Sequence, residues 1–254
     1  MSDLKLGKRE ATTDARDLLL SNYLDAAVAL PEPPKVFGFG RIYSDWGMLG
    51  NNQYGDCVFA GSDHETMLWN KVRHGHDVEM SADAALADYS DVTGFNPNDP
   101  NTDQGTYVRD ALKYRKATGV RDALGNRHKI AAYVALSPKD WHQLLTASYI
   151  FGAVGMGFEF PNSAMDQFYA DEPWDVVPGA TIEGGHYVPV VGTTNSVVQG
   201  TCITWAKRQV FTRAFYETYN DEAWAMLSEE QIRSDGTGLH GLNLEQLKAD
   251  LAAL

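Results

Sequence analysis

The apolar residues of this chain change their spacing about halfway along it. From Val58 the run VFAGSDHETMLWNKVRHGH carries Phe59, Met67 and Val72 at helical intervals, which predicts a helix ended by Gly75. A second, shorter helix is predicted through Tyr89 with Ser81 as its cap, and a third over Thr106 to Thr118, closed by Gly119. Between them residues 94–105 (GFNPNDPNTDQG) form a polar loop. Ser137 is expected to cap one more helix, with Pro138 at its first position, running to Ala147. The texture then turns to β. YIFGAVGMGFEF reads as a buried strand whose glycines permit close backbone approach, and HYVPVVGTT, GTCITWA and VFTRAFYETY follow as strands. A short helix, Leu244 to Leu251, ends the chain. Helices first and strands second predict an α+β fold with segregated lobes.

Residues 1–40 stand apart as an N-terminal arm. Asp14 to Leu30 is expected to make an amphipathic helix with Leu18, Leu19, Tyr23 and Leu24 on one face, before Pro31, Pro33 and Pro34 impose an extended segment. Such an arm packs along its own domain or reaches a neighbour. Residues 41–254 form the main domain, 41–147 mainly helical and 148–254 mainly β. No internal repeat or low-complexity tract interrupts it.

Composition narrows the function classes. The chain has 254 residues, 44% of them hydrophobic and 22% charged, enough for one large domain or two lobes. A formal net charge of -13 argues against nucleic acid and against anionic lipid, both of which need a basic surface. No stretch approaches the run of about 20 apolar residues that spans a bilayer, and MSDLKLGKREATTDARD has no secretory h-region. Two cysteines 145 positions apart make no disulfide framework. The expected location is cytoplasmic, or in an assembly built there.

The candidate chemistry centres on GNNQYGDCVFAG. Cys57 opens the first predicted helix, where the positive end of the helix dipole favours a thiolate and free N–H groups can receive an oxyanion. Taken alone, a cysteine at a helix start is more often a small buried hydrophobe. The base candidate is His186 in EGGHYVPVVGTTN, preceded by two glycines on a buried strand. His64 shares the face of Cys57 but lies roughly 10 Å along the helix, too far for direct proton transfer. It is expected to be an ordinary packed or solvated residue. FNPNDPNTDQG has oxygen ligands at alternating spacing but lacks a closing Glu, so a surface turn is expected rather than calcium. GAVGMG lies within a strand and is no dinucleotide fingerprint, and no HExxH or CxxC spacing occurs. No cofactor and no metal are expected. Trp205, Phe211, Phe215, Tyr216 and Tyr219 read as core and cross-strand packing.

Over residues 45–225 the chain resembles the papain-like cysteine peptidases in collinear order. NNQYGDCVFAG, QGTYVRDALKYRKATGV, SPKDWHQLLTASYIFGAVGMGFEF, GGHYVPVVG and CITWA are similar to five successive blocks of that family. The resemblance implies a papain-like fold, with a helical N-terminal lobe and an antiparallel, barrel-like β lobe. It also implies that Cys57 is the nucleophile and His186 the base. The family's oxyanion Gln aligns with Asn51, while Gln53 is nearest in kind but out of register. Aligning Trp205 with the family's tryptophan puts Ile203 in place of the base-orienting Asn and Thr204 in place of a Ser, leaving Asn195 as a substitute. Tyr54 stands where a disulfide cysteine usually lies, and undecorated sequences of this sort are similar to those carried by phages and prophages. Three readings follow: a peptidase or amidase acting on a peptide or protein through a Cys–His dyad, an inactive binding or virion module whose arm (1–40) clasps a neighbour, and an acyl transferase.

Overall fold

The computed structural model describes residues 4–15, 17–20 and 32–231. The predicted C-terminal helix, Leu244 to Leu251, lies outside them, as does most of the helix expected over Asp14 to Leu30. The described part of that arm is not helical; Leu19 instead makes a parallel bridge to Ala135.

The helical lobe is built on α1 (Cys57–His74), α2 (Ala82–Thr93) and α3 (Val108–Ala117). Gly75, in the left-handed region at φ 73°, ends α1, and the Ser81 side chain caps α2 by accepting from Ala84 N–H. The loop over 94–105 is a surface turn. Asn96 and Asp99 spend their side-chain oxygens on Asn98 N–H and Asn101 N–H. Among the described residues no His, Cys, Asp and Glu group is arranged to hold a metal ion. No described helix is long and apolar enough to cross a membrane.

The second lobe is an antiparallel sheet. Its strands are β4 (Ile130–Ala135), β5 (Val154–Pro161), β6 (Ile182–Asn195), β7 (Gln199–Thr204), β8 (Lys207–Thr212) and β9 (Asn220–Ser228), and β1 (Phe37–Gly38) adds to β6. Their order is β4-β9-β5-β6-β7-β8. The end strands β4 and β8 do not pair among the described residues, so the barrel-like closure expected for this lobe is not formed there. A separate short hairpin joins β2 (Val120–Arg121) and β3 (Arg127–His128). The overall class, mixed helix and antiparallel sheet, is the expected α+β.

Three boundaries differ from expectation, each for a local reason. Lys139 sits at φ 66°, so no helix can run through it from Pro138. Helix α4 (Trp141–Phe151) starts later, with the Asp140 side chain accepting from Gln143 N–H. That helix takes Tyr149, Ile150 and Phe151 from the expected strand, which begins only at Val154. VFTRAFYETY is strand only to Thr212, whose hydroxyl then caps α6 (Arg213–Tyr219) by accepting from Phe215 N–H. Phe215, Tyr216 and Tyr219 therefore pack at helical spacing, not across strands. A further helix, α5 (Asn162–Tyr169), follows β5.

Helix α1 lies against β6, and the contact is built around one tyrosine. A Cβ on Gly61 would meet the Tyr187 ring at 2.7 Å, and one on Gly155 would meet its hydroxyl at 1.9 Å. Both positions need glycine for the ring to fit. The Tyr187 hydroxyl donates to Glu65 Oε1 at 2.9 Å, and Arg115 Nη1 donates to Glu65 Oε2 at 2.6 Å. This buried contact ties α3, the middle of α1 and β6 together through Tyr187, the neighbour of His186. Only Nη1 of the Arg115 guanidinium is engaged; its buried Nε and Nη2 have no partner, so the pair ties the elements together at a desolvation cost.

Candidate active site between the lobes

Cys57 is the first residue of α1 and is 1% exposed. The Gly-rich loop before it is held by Asp103, which accepts from Gly55 N–H at 3.0 Å and from the Tyr89 hydroxyl at 2.7 Å. Asp56 makes no side-chain cap bond to the helix. Burial pushes its carboxyl well above the usual range, which favours the neutral form beside the sulfur. Burial likewise pushes the Cys57 thiol up to about 12, while the N–H groups of Tyr187 and Gly7 and the charge of Lys8 pull the other way.

His186 is fully buried on β6 in an aromatic box. Its ring stacks on Trp205 at 4.4 Å and 19°, and meets Phe158 and Phe160 edge-on at 5.9 and 5.7 Å. Trp205 reaches this position from the two-residue turn between β7 and β8, where it and Ala206 both hold positive φ (44° and 67°). Such turns normally take Asn-Gly, so bulky residues there carry strain of order 1–3 kcal/mol. Nε2 of His186 pairs with the Thr204 hydroxyl at 2.8 Å, whereas Nδ1 has no hydrogen-bond partner. Burial lowers the imidazole to about 3. In this state a neutral thiol and a neutral imidazole occupy the two lobes, and no hydrogen bond joins them.

The other sequence candidates separate cleanly. Asn51 is buried in the cleft, its Nδ2 donating to the carbonyls of Lys5 (3.2 Å) and Tyr54 (3.0 Å). Gln53 is exposed. Asn195 is exposed at the far end of β6, about 30 Å from His186 at the usual rise per strand residue. His64 is buried, its Nε2 against the carbonyls of Trp46 (3.1 Å) and Gly47 (3.0 Å). Ile203, Thr204 and Trp205 line one small cavity together with Cys57, Asn51 and His64. At about 10 Å³ it has room for one water at most.

The rest of the cleft is filled by the N-terminal arm. Lys5 N–H donates to Asn51 O (3.2 Å), and the N–H groups of Gly7 and Lys8 donate to Gly185 O (3.1 and 3.0 Å). On the helical side Thr106 N–H donates to Gly7 O (2.7 Å), and Arg9 N–H donates to Thr106 O (3.0 Å). Residues 5–9 are thus an extended segment, with one isolated bridge from Lys8 to Thr106, that is bonded to both lobes beside Cys57. Sequence reading missed this segment and the role of Thr204. Glycines at 7, 55, 105 and 185 were the available signal, because each lines the path of the segment.

No protein-family model matches the chain, and no curated protein matches it in sequence. Its fold, however, is similar to those of solved cysteine proteases. Xylellain, a cysteine protease from Xylella fastidiosa, superposes with a TM-score of 0.67 at 14% identity, over 89% of this chain and 98% of that one. Digestive procathepsin L2 proteinase from Tenebrio molitor gives 0.59 at 18% identity, over 85% and 77%. The Carica candamarcensis cysteine protease CMS1MS2 gives 0.52 at 13%, over 76% and 98%. The chain has the papain-like fold.

Proposed function

We propose that the protein is a papain-like cysteine hydrolase of peptide or amide bonds, held here in a closed resting form. The observation that carries this reading is the orphaned Nδ1 of His186. Leaving a buried nitrogen unpaired costs about 1–3 kcal/mol, and a neighbouring hydroxyl and a stacked indole already fix the ring. With Nε2–H donating to Thr204, Nδ1 carries the bare lone pair that a general base needs. For turnover the imidazole has to turn out of its aromatic box as the cleft opens; Cys57 Sγ then gives its proton to Nδ1 and attacks the substrate carbonyl carbon. The oxyanion is received at the head of α1 and by Asn51 Nδ2, which already donates to a peptide carbonyl in the closed form. His186 then protonates the leaving amine, and water hydrolyses the thioester.

The test is cleavage of a mixed peptide pool by a chain whose cleft is opened by Gly7→Ala, with new termini read by mass spectrometry. Cleavage lost on Cys57→Ala supports the reading. No cleavage, with Cys57 inert to a peptidyl electrophile, overturns it. The filled cleft and the apolar Ile203 favour a second reading, a catalytically inactive papain-fold protein with a structural or binding role, such as a virion component.

A further inference from the structure

The segment in the cleft carries a lysine into an acidic pocket. The Lys8 side chain is 1% exposed, and its Nζ lies 2.6 Å from Asp221 Oδ2 and 3.4 Å from Glu222 Oε1. The floor is Gly157, where a Cβ would meet Lys8 Cε at 2.3 Å and Glu222 Cγ at 2.7 Å. Glu222 is held by Trp224 Nε1, which donates to its Oε2 at 2.8 Å. Asp221 Oδ1 is buried with no partner, a spare acceptor that one ammonium does not use. The backbone on either side fits as closely. A Cβ on Gly7 would lie 1.8 Å from Gly55 O, one on Gly105 2.2 Å from Gly7 O, and one on Gly185 2.3 Å from Lys8 O.

The seating is not that of a substrate about to be cut. Gly7 has its N–H on Gly185 O and its carbonyl on Thr106 N–H, so the peptide groups nearest the thiol are bonded to the two lobes and not presented to the sulfur. Yet the pocket cannot be left empty cheaply. Removing Lys8 leaves two acidic side chains largely buried without a cation, which is unfavourable unless a proton is taken up. An occupant with a positive charge of its own spares the pocket that proton uptake.

We infer that the Asp221–Glu222 pocket is a binding subsite for the lysine or arginine side chain of an extended peptide, with Leu6-Gly7-Lys8 as its resident occupant. This goes beyond the hydrolase reading and is read by binding alone, so an unreactive Cys57 leaves it standing. The probe is a fluorescent peptide of residues 4–10, Leu-Lys-Leu-Gly-Lys-Arg-Glu, added to the full chain carrying Gly7→Ala, whose new methyl collides with Gly55 O. Anisotropy should report saturable binding. Replacing the peptide's fifth residue, lysine, by glutamate should weaken it at least about 30-fold, the scale of breaking a buried charge pair. Equal binding of the two peptides, or none to a folded Gly7→Ala chain, overturns the inference. The wild-type chain supplies a readout that needs no substitution. Excess lysine peptide should speed hydrogen exchange of residues 4–9, and the glutamate peptide should not; identical exchange with both peptides overturns it equally.

Discussion

Two thiols are buried in this molecule, and burial raises both above their ordinary pKa. Cys202 sits mid-strand in β7, paired with Val190 and Gln209, and belongs to the apolar core of the sheet lobe. Only its own backbone N–H opposes the effect of burial. Around Cys57 stand a helix start, the N–H groups of Tyr187 and Gly7, the Lys8 charge and a cavity shared with Asn51 and Thr204. The lesson is that burial alone does not distinguish a structural thiol from a chemical one. What differs is the surroundings: Cys202 is enclosed by the sheet lobe, whereas Cys57 lies between the lobes beside the segment of residues 5–9.

The comparison breaks most visibly at turnover. In the Gly7→Ala background, Cys57→Ala should lower peptide hydrolysis by at least about 10⁴-fold, while Cys202→Ala should keep the rate of its parent; a progress curve with each variant decides it. Next in size, Asn51→Ala should lower kcat by about 10²–10³ with a much smaller change in KM, as for a lost oxyanion donor. A pure KM effect would instead make Asn51 a residue that merely holds the segment. Thr204→Val strands a second nitrogen of His186, so kcat should fall by about 10-fold or more and the pH–rate profile should shift, with Thr204→Ser restoring both. Failure of serine to rescue would show that the methyl, not the hydroxyl, matters.

The smallest effect concerns stability. His64 and His186 are lowered by burial to about 4 and about 3, against 6.5 for a free imidazole. The unfolded chain therefore takes up protons first, and stability is lost as pH falls from about 6.5 towards those values. At pH 5 the His64 contribution is about 2 kcal/mol, so a His64→Gln variant should show a correspondingly flatter decline in melting temperature between pH 7 and 5. Parallel curves would mean that His64 is charged in the fold.

How much of this was legible in the sequence depends on the range of the interaction. Cys57 at a helix start, the Gly75 stop and the Ser81 cap are set by neighbours a few residues away, and the sequence pattern finds them. The start of α4 was missed because Pro138 after Ser137 looks like a helix beginning, while the left-handed Lys139 and the Asp140 cap have no such conspicuous signature. Helix α6 was missed because Phe215, Tyr216 and Tyr219 suit a strand by residue type and a helix by spacing. In the site, Ile203 occupies the aligned position, yet the next residue, Thr204, reaches the imidazole. No linear spacing reveals that, since it depends on a two-residue turn with both φ values positive. The partnership of Lys8 with Asp221 spans 213 positions and rests on charge complementarity across the cleft.

The central claim is that Cys57 is a cleft nucleophile shielded by the N-terminal segment. Its most direct test is the rate of alkylation of each cysteine by iodoacetamide, read by peptide mass mapping in the wild-type and Gly7→Ala chains. Cys57 should be labelled slowly in the wild type and at least about 10-fold faster in Gly7→Ala, with a thiol pKa brought down below the ordinary value of about 8.5, while Cys202 stays slow in both. Equal and slow labelling of both cysteines in a folded Gly7→Ala chain would contradict it.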